Sequence, residues 1–145
     1  MFNQRLIDRA VKELSKAYKA GLAFNSANAS KEYVQLQIGC SEVEIFCVMF
    51  LDTQNQLIEF KKMFTGTIDS TSVYPREIVR EALLLNAKSI IIAHNHPSGT
   101  LEPSQADKNI TRRIIEACNI LDINLLDHVL VSKLGVMSFA ERGLL

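Results

Sequence analysis

The stretch SIIIAHNHPSGTLEPSQAD, Ser89 to Asp107, decides how this chain folds. Ser89 to Ala93 is a short apolar run of the kind found in a central strand, and it runs out at His94. Pro97 and Gly99 then turn the chain sharply away. After Ser104 the residues Ile110, Ile114, Ala117, Cys118 and Leu121 recur at helical spacing, so the stretch reads as strand, turn and helix.

Its polar residues support two readings. In extended backbone, residues two apart face the same side, so His94 and His96 can aim both imidazoles at one point, as zinc with nitrogen ligands requires. Asp107, one turn into the helix, could swing back and add an oxygen. Three protein ligands leave a fourth position open for water, which distinguishes a catalytic zinc from a structural one. Against this, Ser104 followed three positions later by an acidic residue also resembles a capping box. Capping accounts for Ser104 and Asp107 but not for the two histidines, and two of the chain's three histidines falling so close could be coincidence. Spacing alone leaves metal binding and chance both open.

Outward from this stretch, Leu6, Ile7, Ala10, Val11, Leu14 and Ala17 mark an amphipathic helix from Asn3 to about Tyr18, followed by a loose small and polar joint from Gly21 to Ser30. Glu32 to Gly39 alternates, with Val34, Leu36 and Ile38 on one face, and is expected to be a strand. Glu44 to Leu51 reads as a strand buried on both faces, and Leu57 to Phe64 as its neighbour after a polar turn. A loop from Gly66 to Ser72 leads to a helix opened by Pro75 and ending near Asn86, its stripe made by Ile78, Val79, Ala82 and Leu83. Ile123 to Val131 and Val136 to Phe139 are the last strands. Strands interrupted by helices imply an α/β sandwich built on a mixed sheet, with ligands gathering where loops leave the strand ends.

At 145 residues and 48% hydrophobic content the chain can bury one compact core without staples. Sixteen basic and sixteen acidic side chains cancel, which argues against a dedicated nucleic-acid binder. Cys40, Cys47 and Cys118 are odd in number and lack C-x-x-C spacing, so they read as small apolar residues in a reducing compartment. Arg5, Asp8, Arg9, Lys12 and Glu13 leave no apolar leader or membrane span near the start, and a cytoplasmic location is expected.

H-x-H-P followed by Ser-x-x-Asp, its aspartate eleven residues beyond the second histidine, resembles the JAMM motif of JAB/MPN metallopeptidases. The chain is more closely similar to the RadC-like JAB domain. FLDTQN at Phe50 to Asn55, VYPREIVREAL at Val73 to Leu83, HNHPSG at His94 to Gly99, LLDH at Leu125 to His128 and SFAERGLL at Ser138 to Leu145 carry that likeness. It covers roughly Ser30 to the C-terminus and implies an N-terminal helical extension over residues 1–30 ahead of a domain spanning 31–145. The implied fold is a mixed sheet sandwiched by helices, the three-layer architecture shared with cytidine deaminases.

The resemblance implies that His94, His96 and Asp107 ligate Zn2+, and that Ser104 hydrogen-bonds the water or stabilises a developing oxyanion. It also implies a general base upstream, in a Glu-x-Phe-x-Val context that Glu44, Phe46 and Val48 fit, with Glu42 as the fallback. A carboxylate entering an apolar strand is costly unless it has a partner, which favours Glu44, although a solvated strand-end glutamate is the plain alternative. Asp127 and His128, in an otherwise apolar strand, are either second hydrogen-bond partners of a ligand or a structural polar pair. Arg76, Glu77 and Arg80 are expected on a solvated helix face. Longer members carry a helix-hairpin-helix region ahead of the domain; only about thirty residues precede it here, so none is expected.

Two functions follow as expectations. One is a zinc-dependent metallopeptidase in which a zinc-bound water attacks a peptide or isopeptide carbonyl with Glu44 as general base, on an unidentified peptide or protein substrate. The other is a non-catalytic metal-binding accessory module associated with DNA repair or mobile elements. Nucleobase deaminases need His-x-Glu and Pro-Cys-x-x-Cys, and the sequence has neither.

Overall fold

The computed structural model describes residues 3–66 and 72–145. The loop expected from Gly66 to Ser72 therefore lies mostly outside the described residues. Helix α1 (Gln4–Lys19) starts at Asn3, whose side chain accepts the Leu6 N–H at 3.2 Å. It packs on α2 (Ala27–Ile38) through Tyr18, which stacks on Phe24 with ring centroids 3.8 Å apart and meets Tyr33 edge-on.

Helix α2 corrects the strand expected over Glu32 to Gly39. Ser26 caps it by accepting the Ala29 N–H, and its buried residues Ser30, Tyr33, Val34 and Ile38 follow helical spacing. Tyr33 and Val34 are neighbours and both buried, which a strand with one solvated face does not permit. Val34 and Ile38 fit a period of two as well as one of four, so the eight-residue window was ambiguous. The small-residue joint before it concealed the cap.

Five strands form one mixed sheet in the order β2-β1-β3-β4-β5. They are β1 (Ile45–Leu51), β2 (Leu57–Thr65), β3 (Ser89–His96), β4 (Asn124–Ser132) and β5 (Gly135–Ser138). β1 pairs antiparallel with β2 and β3, β3 runs parallel to β4, and β5 closes the edge antiparallel to β4. Helix α3 (Pro75–Leu84) precedes β3, and α4 (Gln105–Ile120) makes the crossover that a parallel β3–β4 pair requires.

Strand pleating divides the core in two. On one face Cys47, Met49, Leu51, Ile91, Ala93, Val129 and Val131 pack beneath α1 and α2. On the other Phe46, Val48, Phe50, Ile90 and Ile92 pack beneath Ile78 and Ala82 of α3 and Ile110, Ile114 and Cys118 of α4. Each fully buried side chain of this size stabilises by about 1.5–3 kcal/mol relative to exposure, so both faces of the sheet carry substantial apolar cores. The three-layer α/β expectation holds. β3 outruns the expected Ala93 by three residues, which puts both histidines of the HNHP segment on the strand rather than in the loop.

Candidate metal centre

His94 and His96 share the α4 side of β3, and the N-terminal turn of α4 brings Asp107 over them. His94 Nε2 lies 3.0 Å from His96 Nε2, 3.1 Å from Asp107 Oδ1, and His96 Nε2 is 3.2 Å from Asp107 Oδ2. Among the described residues this is the group able to hold a metal ion. The two aspartate contacts use different oxygens; with one atom per residue the three donors lie within 4.8 Å of one another, against about 3.3–3.6 Å between the ligand atoms of a tetrahedral zinc, so the carboxylate must turn and the imidazoles open slightly to accept one. A borderline-soft ion with two imidazole nitrogens and a carboxylate oxygen is the donor chemistry zinc favours.

Hydrogen bonds at the far nitrogens decide which lone pairs face the site. His96 Nδ1 is 3.2 Å from the Thr100 carbonyl, which can only accept, so Nδ1 carries the proton and Nε2 is left bare. The turn that delivers this carbonyl depends on Gly99, at φ +98°, with its N–H bonded to the His96 carbonyl at 3.0 Å.

His94 is set through a longer chain. Thr111 donates its hydroxyl proton to the Asp107 carbonyl four residues back at 2.6 Å. Its 2.6 Å contact with His128 Nδ1 is then filled by a proton from His128. His128 Nε2 must accept, and its partner at 2.8 Å is His94 Nδ1, which therefore carries the proton. His94 Nε2, like His96 Nε2, is left with a lone pair directed at the site.

Burial, followed by the nearby His94 charge, pushes His128 well below the ordinary histidine range and keeps it the neutral link this chain needs. Phe139 stacks on His128 at 4.3 Å, and Phe46 lies parallel to the His94 ring at 6.1 Å, walling the pair from solvent. The sequence left Asp127 and His128 equally open as ligand partners or structural pair, and the two separate. His128 contacts a proposed ligand, whereas Asp127 accepts from the His128 and Ala140 N–H groups at 2.7 and 3.0 Å and from the Ser138 hydroxyl at 2.5 Å, tying β4 to the C-terminal turn.

Burial raises the Asp107 carboxyl, yet when the His94 and His96 Nε2 atoms carry protons in place of an ion, their hydrogen bonds to Asp107, the His94 charge and the Ser104 N–H outweigh burial and hold the group far below the usual carboxylate range. The hydrogen bond to Asp107 is the main influence that raises His96, with Glu44 adding a smaller electrostatic contribution. The capping box is also present, with Ser104 Oγ accepting the Asp107 N–H at 3.0 Å and Asp107 Oδ2 accepting the Ser104 N–H at 2.8 Å. The capping and ligand readings of these two residues thus hold together: the cap orients the carboxylate that faces the histidines.

Glu44 immediately precedes β1 and is half-buried, close enough to His96 for its charge to favour the imidazolium. With Glu42, Val43, Gly66, Pro97 and Ser98 it lines an open cavity of about 320 Å³ beside the histidines. Thr111 reads in the sequence as one more polar residue of an amphipathic helix, although its position four residues after Asp107 is the spacing that back-bonds a ligand-bearing turn.

Comparison with known proteins agrees with this architecture. The model of the RadC-like JAB domain matches residues 24–144. A UPF0758 protein of Vibrio cholerae is 49% identical over 98% of this chain and 89% of its own length. The UPF0758 protein YkfG of Escherichia coli K12 is 46% identical over 99% and 91% respectively. A longer relative, UPF0758 protein PSHAa2643 of Pseudoalteromonas translucida, is 50% identical over 94% of this chain but only 63% of itself. With its mixed sheet, its buried His-His-Asp group and this continuous likeness, the chain belongs to the RadC-like JAB domain family.

Proposed function

We propose that the domain is a zinc-dependent metallopeptidase acting on a peptide or isopeptide bond. The observation that carries this reading is the convergence of two imidazole Nε2 lone pairs and one carboxylate at β3 and α4, with a second carboxylate, Glu44, at the open side. His94, His96 and Asp107 would hold the ion. Zinc bound there would supply Lewis acidity, able to acidify a water to a pKa of about 7 and to polarise a carbonyl oxygen.

The chain's own groups supply the rest. Glu44 accepts the proton of the attacking water on its carboxylate as the new C–O bond forms, and returns it to the leaving amine nitrogen as the tetrahedral intermediate collapses and the C–N bond breaks, which regenerates the base. Ser104 Oγ already accepts the Asp107 N–H, which leaves its hydroxyl proton to donate to the oxyanion that develops on the former carbonyl. The cavity at Glu42 to Glu44 and Pro97 to Ser98 gives an extended substrate chain a route to the site.

The test is turnover on a peptide and isopeptide library by zinc-loaded wild type and Glu44→Gln. That variant should keep its metal and lose about 10²–10⁴-fold in rate. Turnover equal to wild type would remove Glu44 as base.

A further inference from the structure

Asn95 lies between the two histidines, and strand pleating turns its side chain to the opposite face of β3. Its relative exposure is 3%, so its carboxamide must be satisfied internally. The partners it finds are not on its own strand. Oδ1 accepts the Ile45 N–H at 2.7 Å, and Nδ2 donates to the Val43 carbonyl at 2.9 Å and to the Ser41 carbonyl at 3.3 Å.

These bonds replace sheet pairing where it stops. The β1–β3 ladder ends at the Phe46–His94 pair, after which the chain leading into β1 leaves β3. The Asn95 side chain spans that gap and holds the peptide groups on both sides of one residue, Glu44. The Glu44 carbonyl itself accepts the Gly66 N–H at 3.0 Å, so three consecutive backbone positions, Val43, Glu44 and Ile45, are fixed. A glutamate at a fraying strand end would otherwise sample many positions relative to His96.

We propose that Asn95 is a positioning residue: by bonding the backbone before and after Glu44 it sets where the Glu44 carboxylate stands beside the histidines of its own strand. The inference rests on the reading of Glu44 as general base. It gives the middle residue of His-Asn-His a task that neither metal ligation nor core packing provides. One strand carries the metal-facing side chains on one face and, on the other, the group that registers the base against them, so ligands and base move as a unit.

The test uses the full chain loaded with cobalt(II), whose visible bands respond to the group in the open fourth position. Asn95→Ala should bind cobalt with wild-type stoichiometry but show bands displaced toward those of Glu44→Gln, and adding Asn95→Ala to Glu44→Gln should change nothing further. In Asn95→Ala the Ile45 and Gly66 amides should exchange about tenfold faster, with amides of the β3–β4 ladder unchanged. Asn95→Asp keeps an acceptor for Ile45 but no donor for Val43, so it should fall between the two and serves if the alanine variant does not fold. Wild-type bands in both Asn95 variants, where Glu44→Gln shifts them, would overturn the positioning role alone. Wild-type bands in Glu44→Gln itself would overturn the assignment of Glu44 and with it the purpose of Asn95.

Discussion

His128 Nε2 stands 2.8 Å from Nδ1 of His94, at the centre of a hydrogen-bonded chain that begins at the Asp107 carbonyl and ends at the proposed metal position. Asp107 thus faces the site twice, directly through its carboxylate and indirectly through its peptide carbonyl, Thr111 and His128.

His128→Phe keeps an aromatic ring against Phe139 but removes the acceptor for His94 Nδ1–H. Zinc affinity, measured by competition with a chromophoric chelator, should fall about 10–100-fold with the fold intact. Thr111→Val should weaken it in the same direction, since His128 then loses the acceptor that fixes its tautomer. Wild-type affinity in both variants would show that the chain of hydrogen bonds does not tune the ligand.

Substitution separates the capping duty of Ser104 from the catalytic one proposed for it. Ser104→Ala should cost about 1 kcal/mol in urea unfolding, while Ser104→Asn, which can still cap, should cost much less. Both lack the hydroxyl and should be slow on any substrate that wild type cleaves. An asparagine variant as active as wild type would confine Ser104 to capping.

The thiols yield a pH prediction. Burial pushes Cys47 up to about 12, with Lys62 opposing weakly, and pushes Cys118 up to about 11, whereas Cys40 is exposed. One thiol per native chain should react with a disulfide reagent at pH 8, and three in denaturant. Above about pH 9 the unfolded chain releases these two protons while the folded chain keeps them, so stability should fall as pH rises through that range. Rapid reaction of all three native thiols would contradict the burial.

Chelation should leave the fold in place, because neither of the two apolar cores contains a proposed ligand. Circular dichroism should be unchanged by removing metal, while zinc restored at a hundredfold excess over its Kd should add about 2.7 kcal/mol of stability. Loss of secondary structure on chelation would mean that the site is structural.

Much of this was legible in the sequence. The apolar runs of β1 and β3 are short and rich in β-branched or aromatic residues, which favours buried strands, and the His-x-His spacing on a strand end gives two side chains on one face. Residues whose meaning depends on pairs far apart in sequence were not legible. His128 acquires its role from Thr111, seventeen positions away, and Asn95 from Val43 and Ile45, about fifty away. Helix α2 was misread because Val34, Leu36 and Ile38 suit either period, and burial of Tyr33 decided between them only once the aromatic cluster with Tyr18 and Phe24 was visible. Among the described residues no helix is long and apolar enough to cross a membrane.

The most direct measurement is the metal content, by mass spectrometry, of wild type, His96→Ala and Asp107→Ala, each purified without chelators or a histidine tag. A single zinc per wild-type chain, absent from both variants, is the expected result of the three-ligand site. Wild type that takes up no zinc even when it is supplied, or variants that keep it, would contradict the metal centre and the hydrolase built on it.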